Sequence, residues 1–232
     1  LGQKALDLYK SGVTLDEQRG CPFIIDGITY ICSYEPQESV DRMAYFNPND
    51  ADNVGAENDK GRHGRTRRPN RKFWLSRDIK KAVGYLTIPP AVTKAKHILW
   101  PRADDVIAKL EKHKNEVMYF DIETNRSLEL TCFGFSFDDK EAWCVPMVIS
   151  PYAGYYYEDT PQIFRALAVA MRDNEVVIHN ALFDLFVLAY KYGIPAPRKV
   201  YDTMLAHHRL FPEVEKSLGH CLALYTDQPY HK

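Results

Sequence analysis

Val117-Met118-Tyr119-Phe120-Asp121-Ile122-Glu123-Thr124 is the stretch on which the reading of this chain turns. Val117 to Ile122 is an apolar run ending in charge, the pattern of a central strand buried on both faces. Side chains alternate faces along a strand, so Asp121 and Glu123, two positions apart, point the same way and can reach one site. Two carboxylates closing an apolar strand repel each other unless something positive lies between them. A divalent metal is the economical solution. An isolated D-x-E also describes two solvated acids where a strand enters a loop, so a second element has to join it.

That element is Val176-Val177-Ile178-His179-Asn180-Ala181-Leu182-Phe183-Asp184. It reads as a short strand, an Asn at the turn, and a helix with an acid on its first turn. An acid there can project over the sheet edge toward the site of Asp121 and Glu123. Asn180 can hydrogen-bond a nucleic-acid strand, and Phe183 can stack on a base. Taken singly, Asn180 is also a plain N-cap and Asp184 a first-turn acid favoured by the helix dipole.

Outward from these motifs, the chain divides into residues 1–86, a joining segment 87–114 that carries Ile88-Pro89-Pro90, and residues 115–232. Proline lacks a backbone donor and biases the residue before it away from helix, which suits a linker. In the last block, strands are expected over Val117–Ile122, Leu130–Phe137, Ala142–Met147, Val176–Ile178 and Lys199–Tyr201. Helices are expected over Pro161–Asp173, N-capped by Asp159 or Thr160, over Ala181–Tyr192, stopped by Gly193 and Pro195, over Thr203–Leu210, and from Lys216 to about Tyr225. Three antiparallel strands followed by alternating helices and strands make an α/β mixed sheet with flanking helices. The first block predicts a smaller α/β segment. It has a short helix over Gln3–Lys10, strands on either side of the Asp26-Gly27 turn, a polar loop from Asn47 to Pro69, and an amphipathic helix over Arg71–Tyr85.

The chain has 232 residues, 45% of them hydrophobic and 12% aromatic, enough to build real cores. A formal charge of −1 argues against a wholly basic nucleic-acid coat, yet it conceals a local field. Ten Lys and Arg residues stand between Lys60 and Lys81 against one acid, Asp78. Arg65, Arg67, Arg68 and Arg71 in that run are candidates for neutralising phosphates, the alternative being a solvated insert. Five cysteines, widely spread and without a C-x-x-C pair, fit reduced thiols better than a disulfide framework or a zinc finger. No apolar stretch approaches the roughly 20 residues that cross a bilayer. A soluble intracellular protein without a membrane partner is expected.

Phe120-Asp121-Ile122-Glu123-Thr124, Ala142-Trp143-Cys144-Val145-Pro146, His179-Asn180-x-x-Phe183-Asp184, Tyr192-Gly193-Ile194 and Tyr201-Asp202-Thr203-Met204-Leu205-Ala206 occur in that order. Together they resemble the 3′→5′ proofreading exonuclease domain of family A DNA polymerases, a branch of the DEDD superfamily with a ribonuclease-H-like fold. The resemblance implies that Asp121, Glu123 and Asp184 are catalytic ligands of two Mg²⁺ or Mn²⁺ ions. It implies that Thr124 and Asn180 place the 3′-terminal nucleotide and that Phe183 lies near its base. Metal-assisted phosphodiester hydrolysis releasing nucleoside monophosphates follows as the expected activity. The implied partners are the 3′ end of single-stranded DNA and the remainder of a DNA polymerase chain, in the cytoplasm of a bacterial or phage-infected cell. Asp202 matches a recurrent Asp-Thr of the family, but it opens a helix and is expected to be an N-cap first and a site residue second.

One departure matters. The family's fourth metal ligand is an Asp preceded at four positions by Tyr or at five by His, and nothing after Asp184 has either spacing. A chain that stops short of that motif is the expected reason. It leaves a silent nucleic-acid-binding or scaffolding fragment as the alternative to an active enzyme. The first block resembles the C-terminal half of a uracil-DNA glycosylase-like domain, through Leu1-Gly2 with Ala5, Arg19-Gly20, Thr29 to Pro36, and Trp74 with Asp78-Ile79. Where glycosylases carry His-Pro-Ser this chain has Glu35-Pro36-Gln37, and a carboxylate there would repel a leaving uracil anion. No glycosylase activity is expected.

Overall fold

The computed structural model describes residues 2–9, 12–34, 71–91, 94–150, 153–154, 156–212 and 214–228. Arg65, Arg67, Arg68 and the segment Glu35-Pro36-Gln37 lie outside the described residues, as does the side chain of Arg71. In chain order the elements are α1 (Gln3–Leu6), α2 (Leu15–Gln18), β1 (Pro22–Ile25), β2 (Ile28–Ile31), α3 (Arg71–Gly84), β3 (Lys96–Leu99) and α4 (Ala103–Lys112). Then come β4 (Val117–Thr124), β5 (Leu130–Ser136), β6 (Glu141–Pro146), β7 (Val148–Ser150), β8 (Ala153–Gly154), α5 (Thr160–Asp173) and β9 (Glu175–Ile178). The last are α6 (Ala181–Tyr192), β10 (Lys199–Asp202), α7 (Thr203–Leu210) and α8 (Leu218–Tyr225). They form two compact units, one of Thr93–Pro212 and one of Leu1–Val92 with Glu213–Lys232.

The Thr93–Pro212 unit is a six-stranded sheet in the order β10-β9-β4-β5-β6-β3. β4, β5 and β6 form an antiparallel meander, while β9 runs parallel to β4, β10 to β9, and β3 to β6. This is the mixed sheet with flanking helices that the order of motifs predicts. Its core joins Met118, Phe120 and Ile122 of β4 to Phe133 and Phe135 of β5 and to apolar faces of α4, α5 and α6. α5 buries Ile163, Ala166, Leu167, Ala170 and Met171, one stripe at three- and four-residue spacing. At the end of α6, Gly193 takes φ +65 and donates its N–H to Ala189 O, a left-handed stop that a Cβ would strain.

Three expectations change here. β4 is buried on one face only: Met118, Phe120 and Ile122 are covered, whereas Val117 and Tyr119 are partly open, Tyr119 at 49%. The helices of this core pack against the first set, so the apolar run Val117–Phe120 does not mean burial on both sides. Residues 87–114, read as a linker, contain β3 and α4. The Ala103, Val106, Ile107, Leu110 spacing of α4 was a legible helical signal, while β3 is a four-residue edge strand without alternation. Asp159 makes no side-chain cap on α5, because it already lies in the 3₁₀ turn that runs into the helix.

In the other unit, β1 and β2 pair antiparallel around Asp26 (φ +51) and Gly27 (φ +76), the two left-handed residues that a tight hairpin needs. Trp74 and Asp78, one turn apart on α3, are both buried. Between them sits Arg19, 1% exposed, its guanidinium 3.7 Å from the Trp74 ring centre and Nη1 3.5 Å from Asp78 Oδ1. Ser33 Oγ donates to Asp78 Oδ2 at 2.5 Å. Burial nevertheless wins over these partners and raises the Asp78 pKa.

The chain after Pro212 joins this unit rather than the sheet. α8 begins at Ser217, whose hydroxyl accepts from His220 N. Its C-terminal carbonyls need donors, and α3 supplies them. Arg77 Nη2 donates to Leu224 O at 3.1 Å, and Lys81 Nζ donates to Ala223 O (3.1 Å), Thr226 O (2.5 Å) and Gly20 O (2.8 Å). Asp227 accepts from Tyr85 Oη and from Ala91 N, with Lys81 3.7 Å away. Arg77 and Lys81 belong to the basic run, and the structure spends both on carbonyls rather than leaving them for phosphates. Among the described residues no helix is long and apolar enough to cross a membrane. Replacing Lys81 by Ala strands three carbonyls and should cost about 2 kcal/mol. Hydrogen exchange should then show faster amides across Leu218–Thr226.

Candidate active site

The site is built where one strand outlasts its neighbour. β9 is in register with β4 only from Val117 to Tyr119, and β9 ends at Ile178. Beyond that point the β9 side of β4 has no ladder partner, yet β4 continues through Asp121, Ile122 and Glu123. The chain leaving β9 turns sharply at Asn180, φ +68 and ψ 50, into α6. This places Asp184, on the first turn of α6, against the unpaired edge of β4. Ile122 N donates to Asp184 Oδ1 at 3.0 Å.

Asp184 is 3% exposed. Burial pushes its pKa to about 7, the Asp121 charge adds to the rise, the amides of Ile122 and Asp184 oppose it, and Glu123 adds a smaller upward push. The hydrogen bond therefore loses to desolvation and like-charge repulsion. Asp121 and Glu123 are exposed, on the face of β4 opposite Phe120 and Ile122. Glu123 lies directly across from Cys132 on β5, and Asp121 across from Gly134. Burial, then the neighbouring Cys144 thiol, then Glu123 and Asp121 push the Cys132 thiol up to about 11. Asp121 and Glu123 contribute to both shifts, behind burial in each. Among the described residues, no three His, Cys, Asp or Glu side chains stand together as a ready metal cage.

The remaining expected residues fall as follows. Thr124 ends β4 next to a register shift that follows Glu123. Phe183 is 40% exposed on α6. Asn180 makes no side-chain cap, because its backbone is left-handed rather than in the extended state from which a cap oxygen folds back. Asp202 takes that role. Its Oδ1 accepts from Asn180 N (3.2 Å), Met204 N (2.8 Å) and Leu205 N (3.2 Å), and its Oδ2 from Ala181 N (2.9 Å). One carboxylate thus caps α6 and α7 together, with His179 Nδ1 and Thr203 Oγ1 paired beside it at 2.9 Å. The strand-to-helix junction signalled the α7 cap in the sequence; nothing local signalled the reach back to α6.

A family model described as 3′-5′ exonuclease matches residues 102–232, more than half of the chain. The chain belongs to this exonuclease family. It is a 3′-5′ exonuclease domain of the DEDD type, and its mixed sheet is the ribonuclease-H-like fold of that family. No curated protein matches the chain significantly. Among solved structures, the chain is similar to one described as the apo form of a nuclease, with 20% identity, TM-score 0.38, and coverage of 57% of this chain and 59% of that one. It is similar to RNase D of Escherichia coli, an exoribonuclease involved in structured RNA processing, at 16% identity and TM-score 0.35, covering 49% of this chain and 28% of that one. NrnC of Brucella melitensis with bound Mg²⁺ gives 18% identity and TM-score 0.36 over 58% of this chain and 62% of that one. The chain spans less than two thirds of the length of each of these three chains.

Two outcomes follow from the charge and the cap. An acid whose folded pKa of about 7 exceeds its ordinary 3.8 binds more protons folded than unfolded between those values. Metal-free stability should therefore fall as pH rises from about 4 to about 7 and level off above. Asp184→Asn should remove that decline, as urea titrations in chelator across the interval would show. Asp202→Ala strips acceptors from two helix starts and should cost about 2 kcal/mol, read as a lowered urea midpoint.

Proposed function

We propose that this exonuclease hydrolyses single-stranded DNA from its 3′ end as the proofreading module of a DNA polymerase. Asp121, Glu123 and Asp184 would be its metal ligands. The observation that carries the reading is the Asp184 carboxylate. It is buried on the unpaired edge of β4, hydrogen-bonded to Ile122 N, and driven to a pKa of about 7 by burial and by Asp121. A buried acid that feels the charge of two further carboxylates is a costly arrangement unless a cation offsets it. The donors are hard carboxylate oxygens, which suit Mg²⁺ or Mn²⁺. Two such ions, when bound, would supply a water of lowered pKa and stabilise the leaving 3′ oxygen.

The chain's own residues would do the rest. Asp121 and Glu123, exposed on one face of β4, would meet the scissile phosphate from the open side of the sheet. Asp184 would release its proton when a cation replaces it. Thr124 and Asn180 would position the terminal nucleotide, and Phe183, partly exposed one residue before Asp184, would stack on its base. Frayed ends are cheaper to splay into such a site than paired ones, which favours single strands. Asp202 is no fourth ligand, since its oxygens already accept four amides.

The polymerase setting rests on the resemblance of the motifs. In the same setting residues 1–86 are a partial uracil-DNA glycosylase-like domain without glycosylase activity. Arg19, Trp74 and Asp78, three residues that carry its resemblance, meet in one buried cluster. The remainder of a polymerase chain is then the covalent partner, and the cytoplasm of a bacterial or phage-infected cell the setting.

Incubation of the 232-residue chain with a 5′-labelled single strand in Mg²⁺ or Mn²⁺ should give a ladder shortened from the 3′ end, with nucleoside monophosphates released. Asp121→Ala should lower the rate by at least about a hundredfold. Equal rates for both proteins would overturn the reading.

A further inference from the structure

Gly134 stands in the middle of β5, between the buried Phe133 and Phe135, and directly across from Asp121. Directly opposed residues of an antiparallel pair place their side chains on the same face, so position 134 opens on the face that carries Asp121. Glycine inside a strand loses more conformational freedom on folding than any other residue and has no side chain to pack. The backbone does not demand it, since Gly134 is not among the residues with positive φ. Packing does not demand it either. A Cβ built there meets nothing nearer than the Trp143 carbonyl oxygen at 3.7 Å, an ordinary van der Waals contact. Neither of the usual structural reasons for a strand glycine applies.

What a side chain would change is the space beside Asp121. It would rise about 5 Å from the Asp121 Cβ, on the open side of the sheet. We infer that Gly134 keeps the approach to Asp121 clear for the terminal nucleotide, so that it sets how closely the 3′ end can come to the carboxylates. This rests on the reading of Asp121 as part of the hydrolytic site. Its physical content is a trade in which a strand position gives up stability for clearance.

The trade is measurable in the full chain with Gly134→Ala and Gly134→Val. In the absence of nucleotide, Gly134→Ala should melt at the same temperature or about 3 °C higher, because a compatible Cβ restricts the unfolded chain. Its KM for a single-stranded oligonucleotide in Mn²⁺ should nonetheless rise severalfold. Gly134→Val should raise KM by about tenfold or more, with a smaller fall in kcat. Titration of thymidine 5′-monophosphate with Mn²⁺, followed by the shift in melting temperature, should show the same order of weakening without reliance on turnover. Unchanged KM and unchanged nucleotide binding in both variants would overturn the inference. So would a lower melting temperature in Gly134→Ala, which would make the glycine a packing requirement. If the wild type hydrolyses and binds while the variants match it, this inference alone fails. If the wild type does neither, the exonuclease reading falls with it.

Discussion

The hydrogen bond from Ile122 N to Asp184 Oδ1 holds the candidate site together, and it exists because β9 is shorter than β4. A strand amide left without a ladder partner and screened from water must find an acceptor, and the first turn of α6 brings one. That contact holds a carboxylate in the interior, where burial and the charges of Asp121 and Glu123 raise its pKa against the opposing pull of the Ile122 amide. The sharp turn at Asn180 and the buried acid, two features that look separate, meet at one unpaired edge.

Asp202 does for the helices what Asp184 does for the strand. By accepting from amides of both α6 and α7 it ties the start of the helix bearing Asp184 to the end of β10. The position of Asp184 is therefore fixed from two sides, by Ile122 in the sheet and by Asp202 at the cap. Preorganisation of this kind limits how far the carboxylate has to move when a cation arrives. In the other unit the same need, unpaired carbonyls at a helix end, is met by Lys81 and Arg77.

Much of the sheet could be read from periodicity. Asp121 and Glu123 share a face because strand side chains alternate, and that holds in β4 whichever face is covered. The limits of α6 and α7 were legible because Gly193 and Asp202 are residues with definite capping chemistry. β3 was not legible, since Lys96-His97-Ile98-Leu99 is a four-residue edge strand without alternation of polar and apolar residues, which leaves no period to detect. The plain N-cap alternative for Asn180 does not hold, because a residue-type preference says nothing of the left-handed backbone found there.

The sequence alone determined that an apolar strand ends in two carboxylates on one face, and that a second acid opens a helix after another strand. Both follow from local periodicity and local capping, which act over a few residues. Only the tertiary structure decided that Asp184 meets Ile122 across 62 positions, that Asp202 caps two helices, and that the chain after Pro212 packs with α3. Those contacts are set by which backbone groups the strands leave unpaired. That depends on where each strand stops relative to its neighbour, a comparison no single stretch of sequence contains.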